Sequence, residues 1–203
     1  MTRRIRDRVF PGDDPIPGDW KAALDRARIP ARYRSAGLPP INNSRLRDWA
    51  QGMIDTPERW LGEGYGFLFG GPYRSGKSSL AAVFALDAIR RCEKVLWVTA
   101  REIPTIMFRE DEEGYDLLHR ADLLVLDDLG SEAYRILGAA GAALEGAVRN
   151  IYDRERSILV TTNLSPGQLK DTYPESLTSV LERMTAAKPV ENDQWPRGPE
   201  GLV

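Results

Sequence analysis

The chain carries a single cysteine, Cys92, and a single histidine, His119, among 203 residues. One cysteine excludes any disulfide within the chain, and one of each leaves too few ligands for a Cys/His zinc site. Cys92 falls near the end of an expected helix and reads as a small packing residue. His119 falls in a polar helix and reads as solvated. No apolar run approaches the ~18 residues of a membrane span. The start, Met1 to Arg8, is basic, but no apolar segment follows it as a secretory signal requires. A cytoplasmic protein with no membrane partner is expected. Formal net charge is only −2, so no global basic field attracts nucleic acid, and any such contact has to be local. Lysine is scarce beside arginine, which favours planar, bidentate contacts with phosphate or carboxylate.

What the chain does have is Gly71-Pro72-Tyr73-Arg74-Ser75-Gly76-Lys77-Ser78, followed by Ser79. This fits the phosphate-binding loop: glycine, four residues, then Gly-Lys-Ser. The glycines let the backbone turn so that successive N–H groups face the phosphates of a nucleoside triphosphate. Lys77 places a mobile ammonium on the terminal phosphates, and Ser78 offers its hydroxyl to Mg²⁺. The setting agrees. Tyr65 to Phe69 is an apolar run of strand length, and Ser79 to Arg91 reads as a helix. Asp87, Arg90, Arg91 and Lys94 recur at helical spacing, and Leu80, Val83, Phe84 and Ala88 fall largely away from them.

The rest alternates strand and helix. Trp20 to Arg28 and Leu46 to Met53 read as helices. Val95 to Thr99, Leu123 to Leu126 and Ile158 to Thr162 read as apolar strands. Arg101 to Arg109 reads as a helix, Gly114 breaks it from Tyr115 to Arg120, and Arg135 to Arg154 reads as a long helix that buries Leu137, Leu144, Val148 and Ile151. Strands without alternation are buried on both faces, which indicates a parallel sheet between helix layers. Met1 to about Asp19 and the segment from Trp195 read as loose tails.

The strand Leu123 to Leu126 ends in Asp127 and Asp128. Ligands gather beyond strand C-termini in such sheets, so these carboxylates are expected to meet the phosphate loop. Asp127 then supports Mg²⁺, directly or through a water, and Asp128 orients or deprotonates the attacking water. Asn163 closes the next strand and can hold that water or the terminal phosphate, or can simply make the turn before Ser165-Pro166-Gly167. Pro174 to Met184 reads as a helix with Leu177, Val180, Leu181 and Met184 in one stripe. Arg183 falls off that stripe. It is free to reach a neighbouring subunit's nucleotide, or else pairs with Glu182 or Ser179.

Taken together these residues resemble the DnaC/IstB family of AAA+ ATPases, helicase loaders and transposition helpers, from about Ile29 to Val190. Gly71 to Ser78, Leu123 to Asp128, Thr161 to Asn163 and Leu181 to Met184 carry the likeness, with Ile29 to Arg34 similar to the family's lead-in. The resemblance implies an α/β, three-layer P-loop fold with a mainly parallel five-stranded sheet. It implies an ATPase domain over 29–190, an N-terminal tail and short helix over 1–28 available to a partner, and a C-terminal tail over 191–203. It also implies ATP bound with Mg²⁺ between subunits of an ATP-dependent oligomer, Arg183 acting in trans, and a replicative helicase or a transposase as partner. A short insertion at about Ile103 to Tyr115 is implied to meet single-stranded DNA, with Phe108 stacking on a base and Arg109 on phosphate. Glu110 to Glu113 follow at once and have to turn away for this to work. Two positions depart from the family: Arg74 replaces a glycine often found mid-loop, and Asp128 stands where many relatives have glutamate. A small-molecule kinase and a poorly hydrolysing nucleotide-binding scaffold are the alternatives from other classes.

Overall fold

The computed structural model describes residues 19–34, 44–61, 63–91, 93–131 and 138–190. The expected tails, Cys92, and the start of the long helix with Leu137 lie outside them. Five strands form one sheet: β1 Gly66–Gly70, β2 Val95–Thr99, β3 Leu123–Leu129, β4 Ser157–Thr162 and β5 Thr185–Pro189. Their order is β2-β3-β4-β1-β5, and every described pair is parallel. Parallel neighbours need crossovers, and helices supply them: α3 Lys77–Arg90, α4 Ile103–Met107, α5 Glu112–Arg120, α6 Ala139–Asp153, α7 Pro166–Thr172 and α8 Glu175–Met184. Two more, α1 Trp20–Arg26 and α2 Ser44–Asp55, precede the sheet.

The two-sided burial of the strands follows from this layering. Phe67, Phe69, Val95, Trp97, Leu123, Val125 and Leu159 join one buried cluster with α3 and residues of α1 and α2. Their strand neighbours Leu96, Val98, Leu124, Leu126, Ile158 and Val160 join the other, with α4 to α6 and α8. Successive side chains point to opposite faces, so a sheet covered on both sides buries consecutive residues of its strands. The fold is α/β in three layers, as the resemblance implies.

Aromatic packing fixes the flanks of the phosphate loop. Trp49 meets Phe67 edge-on at 4.9 Å, and Trp60 meets Phe84 edge-on at 5.4 Å. Each such pair contributes ~0.5–1.5 kcal/mol beyond its area burial. Together they lock β1 and α3, the two elements the loop joins, against α2 and the segment after it.

Several local readings change. Asp87 is not on a solvated side: it is buried and paired with Arg91 at 2.6 Å, because α2 covers this part of α3 and Arg91 also donates to the Ile54 carbonyl at 2.8 Å. Gly114 does not break a helix but lies in the first turn of α5. Asp111 caps that turn, accepting from the Gly114 N–H at 2.8 Å, and a Cβ on Gly114 would stand 2.4 Å from the Asp111 carboxylate. His119 is half-buried rather than solvated. Its ring lies 4.1 Å from that of Tyr115, and Nδ1 sits 2.8 Å from the Tyr115 carbonyl oxygen. Ser165-Pro166-Gly167 opens α7 with a capping box, Ser165 and Gln168 satisfying each other's backbone N–H groups.

Candidate nucleotide-binding site

β3 and β1 flank β4 in the sheet, so the ends of all three open side by side. The loop from Gly71 to Gly76 leaves β1 and feeds α3 directly. Gly71 has φ +153°, and a Cβ there would stand 2.6 Å from the Val190 carbonyl oxygen at the end of β5, so only glycine fits. Gly76 takes the N-cap of α3 in the left-handed conformation, φ +95°, and no side chain caps the helix. The first N–H groups of α3, Ser78 and Ser79 among them, are left for an anion. Arg74 holds φ +63°. It therefore keeps the left-handed turn that a glycine would make there, at a cost on the order of 1 kcal/mol. Pro72, Tyr73 and Arg74 form the exposed crest, Tyr73 being 78% exposed, while Ser75 and Lys77 are buried beneath it.

The Lys77 ammonium lies inside the loop. It donates to the Gly71 carbonyl at 2.9 Å, the Pro72 carbonyl at 2.6 Å and the Ser75 hydroxyl at 3.3 Å. Burial lowers its pKa below the ordinary lysine value, with Asp128 and then Asp127 opposing the shift. The two motifs meet through Ser78, whose hydroxyl donates to Asp127 Oδ1 at 2.8 Å. A hydroxyl and a carboxylate are hard oxygen donors suited to Mg²⁺, which takes its remaining ligands from phosphates and water. Among the described residues no group of three or more His, Cys, Asp or Glu could hold a metal ion.

The sequence reading ended the acidic strand at its two carboxylates, Asp127 and Asp128, and β3 runs one residue further, to Leu129, through a bulge. Asp128 sits at φ +60° in that bulge, and Asn163 Nδ2 donates to its Oδ1 at 3.3 Å. Asn163 thus stands between the loop strand and the acidic strand, as its place at the end of β4 dictates. The sequence reading named Thr161 only within the stretch Thr161 to Asn163 and gave it no contact of its own. Thr161, 1% exposed, places its hydroxyl 2.6 Å from Asp127 Oδ1 and 2.8 Å from the Asp128 N–H. A threonine among strand residues reads as β-former, so its contacts with the two acidic residues could not be picked out.

Three expected residues, Arg183, Phe108 and Arg109, lie outside this cluster. Arg183 is exposed on α8 and forms no ion pair among the described residues, while Glu182 pairs instead with Lys170 at 3.0 Å. Phe108, 52% exposed, follows α4, and the Arg109 guanidinium lies 4.4 Å from the Tyr115 ring centroid. Of the acids that follow, Asp111 is turned to Arg28, which it meets through both guanidinium nitrogens, one at 2.9 Å. That pairing holds the Asp111 carboxyl below the usual carboxylate range.

A glycine loop entering a helix beside an acidic strand end, on a parallel sheet of this strand order, places the molecule among P-loop ATPases of the AAA+ type. Residues 60–190, well over half the chain, match the family described as IstB-like ATP binding protein, and the chain belongs to that DnaC/IstB-like family of ATP-binding AAA+ proteins. No curated protein matches it significantly in sequence. Among solved structures, the DnaC helicase loader is 18% identical, with a TM-score of 0.66 over 80% of this chain and 100% of that one. AMPPCP-bound DnaA from Aquifex aeolicus is 20% identical, with a TM-score of 0.58 over 76% of this chain and 48% of that one. Replication initiator DnaA bound to AMPPCP and single-stranded DNA is 18% identical, with a TM-score of 0.59 over 80% and 51%. The chain thus spans about half the length of the DnaA chains it matches. At these identities the likeness is one of fold. No helix among the described residues is long and apolar enough to cross a membrane.

Proposed function

We propose that the chain hydrolyses ATP while assembled with copies of itself, and uses the cycle to place a replicative helicase on single-stranded DNA. The observation that carries the hydrolytic part is the 2.8 Å contact between Ser78 and Asp127, which joins loop and acidic strand into one site. In this reading the loop N–H groups and Lys77 hold the phosphates, and Ser78 with Asp127 holds Mg²⁺. When bound, the metal neutralises charge that builds on the transferred phosphate. Asp128, steadied by Asn163, orients the attacking water and accepts its proton. Arg183, exposed and in no ion pair among the described residues, serves the neighbouring subunit's site.

Exposed Phe108 with Arg109 beside it supports the single-strand part, since bases stack on aromatic rings and phosphates attract arginine. The pairing of Asp111 with Arg28 takes one of the four acids out of the way. The family match favours a second reading, a transposition helper acting on duplex DNA. Fluorescence anisotropy with labelled single- and double-stranded oligonucleotides, in ATP and Mg²⁺, separates them. The expected result is preference for the single strand, with Phe108→Ala weakening it by roughly 10-fold, the loss of one base stack. Equal or stronger duplex binding, unaffected by Phe108→Ala, favours the transposition helper.

A further inference from the structure

The bulge in β3 gives one residue of β4 an unusual position. Leu126 pairs with Val160 and Leu129 with Thr162, so Asp127 and Asp128 together lie opposite Thr161 alone. The Thr161 hydroxyl meets both. The Asp128 N–H can only donate, so it takes a lone pair of Thr161 Oγ1, at 2.8 Å. The single hydroxyl proton is then directed at Asp127 Oδ1, at 2.6 Å. That same oxygen also accepts the Ser78 hydroxyl, at 2.8 Å. Thr161 is 1% exposed, so bulk solvent does not reach its hydroxyl.

We infer that Thr161 is the positioning residue for the whole acidic pair. Through its proton it fixes the Asp127 carboxylate toward Ser78, and through its lone pair it fixes the backbone of Asp128 in the left-handed bulge. Metal support and water orientation are therefore set together by one side-chain oxygen. The inference rests on the hydrolytic reading above, and assigns that reading a residue that touches neither nucleotide nor metal.

Thr161→Val tests it, since valine keeps the shape and the β-branched fit to β4 while removing the hydroxyl. Thr162→Val is the control. Thr162 is equally buried, and its hydroxyl donates to the Leu129 carbonyl at 2.7 Å rather than to a carboxylate. Two quantities are read: the Mg²⁺ concentration giving half-maximal binding of a fluorescent ATP analogue, and kcat for phosphate release. Partners one layer outside a metal site typically change affinity or activity 10–100-fold, so Thr161→Val is expected to raise the first and lower the second by about that factor. Binding of the analogue in EDTA stays at the parent level, Thr161→Ser restores both quantities to within about threefold, and Thr162→Val stays within about threefold throughout. If Thr161→Val matches the parent, or Thr162→Val reproduces its losses, the inference is overturned. A parent chain that releases no phosphate while binding the analogue overturns the hydrolytic reading, and the inference with it.

Discussion

Lys77→Ala abolishes detectable nucleotide binding, measured by calorimetric titration of ATP with Mg²⁺ into the folded chain. Two losses combine in this variant. The ammonium is the one buried cation in the loop, at 7% exposure, and its removal leaves the terminal phosphates without a charge partner. It also donates to the Gly71 and Pro72 carbonyls, so its removal frees the strand-side half of the loop. Hydrogen bonds to a charged group contribute about 1.5–3 kcal/mol each. The loss of two or three corresponds to an affinity drop on the order of 10²-fold or more. Lys77→Arg keeps the charge but presents a planar fork instead of a compact ammonium, and is expected to bind at least ~10-fold more weakly than the parent. Binding of Lys77→Ala within threefold of the parent, with an unchanged circular dichroism spectrum, contradicts this role.

Arg183→Ala is expected to leave nucleotide binding intact and to remove the hydrolysis that depends on assembly, by roughly 10³–10⁵-fold, the range for an arginine supplied in trans. The argument is geometric. Arg183 is exposed, its neighbour Glu182 is taken by Lys170 at 3.0 Å, and Leu181 and Met184 hold α8 to the core on either side. The guanidinium is thus presented outward from a fixed helix. A mixing experiment isolates the trans contribution. Lys77→Ala and Arg183→Ala are each inactive alone, but together they form interfaces with one intact loop and one intact arginine, and activity returns in part. Parent-rate hydrolysis by Arg183→Ala under assembling conditions, or no recovery on mixing, contradicts the role.

Much of the site is legible in the chain because its chemistry is local. The loop from Gly71 to Ser78 is contiguous, and the backbone conformations at Gly71 and Gly76 are of the kind glycine permits. Asp127 could be placed opposite the loop because strand ends on a parallel sheet face one way. The two-layer burial of the strands likewise follows from their unbroken apolar runs. What escaped depends on register and on distant partners. The bulge at Asp128 is a mismatch between β3 and β4, which no single strand announces. Thr161 matters because two residues oppose one, and its hydroxyl is invisible in a run of β-formers. Asp87 looked solvated because the cover over α3 comes from α2, far away in sequence. Asp111 looked like one more acid in a charged run until Arg28, 83 residues away, was found against it.

The central claim is that one triphosphate and its metal are held where the ends of β1 and β3 converge. It is tested most directly by the Mg²⁺ dependence of ATP affinity in the parent chain and in Asp127→Asn. In the parent, saturating Mg²⁺ is predicted to tighten ATP binding by at least ~10-fold over EDTA. In Asp127→Asn that gain disappears, while affinity in EDTA stays that of the parent. An undiminished Mg²⁺ effect in Asp127→Asn would contradict the claim, because the metal would then be held without the acidic strand.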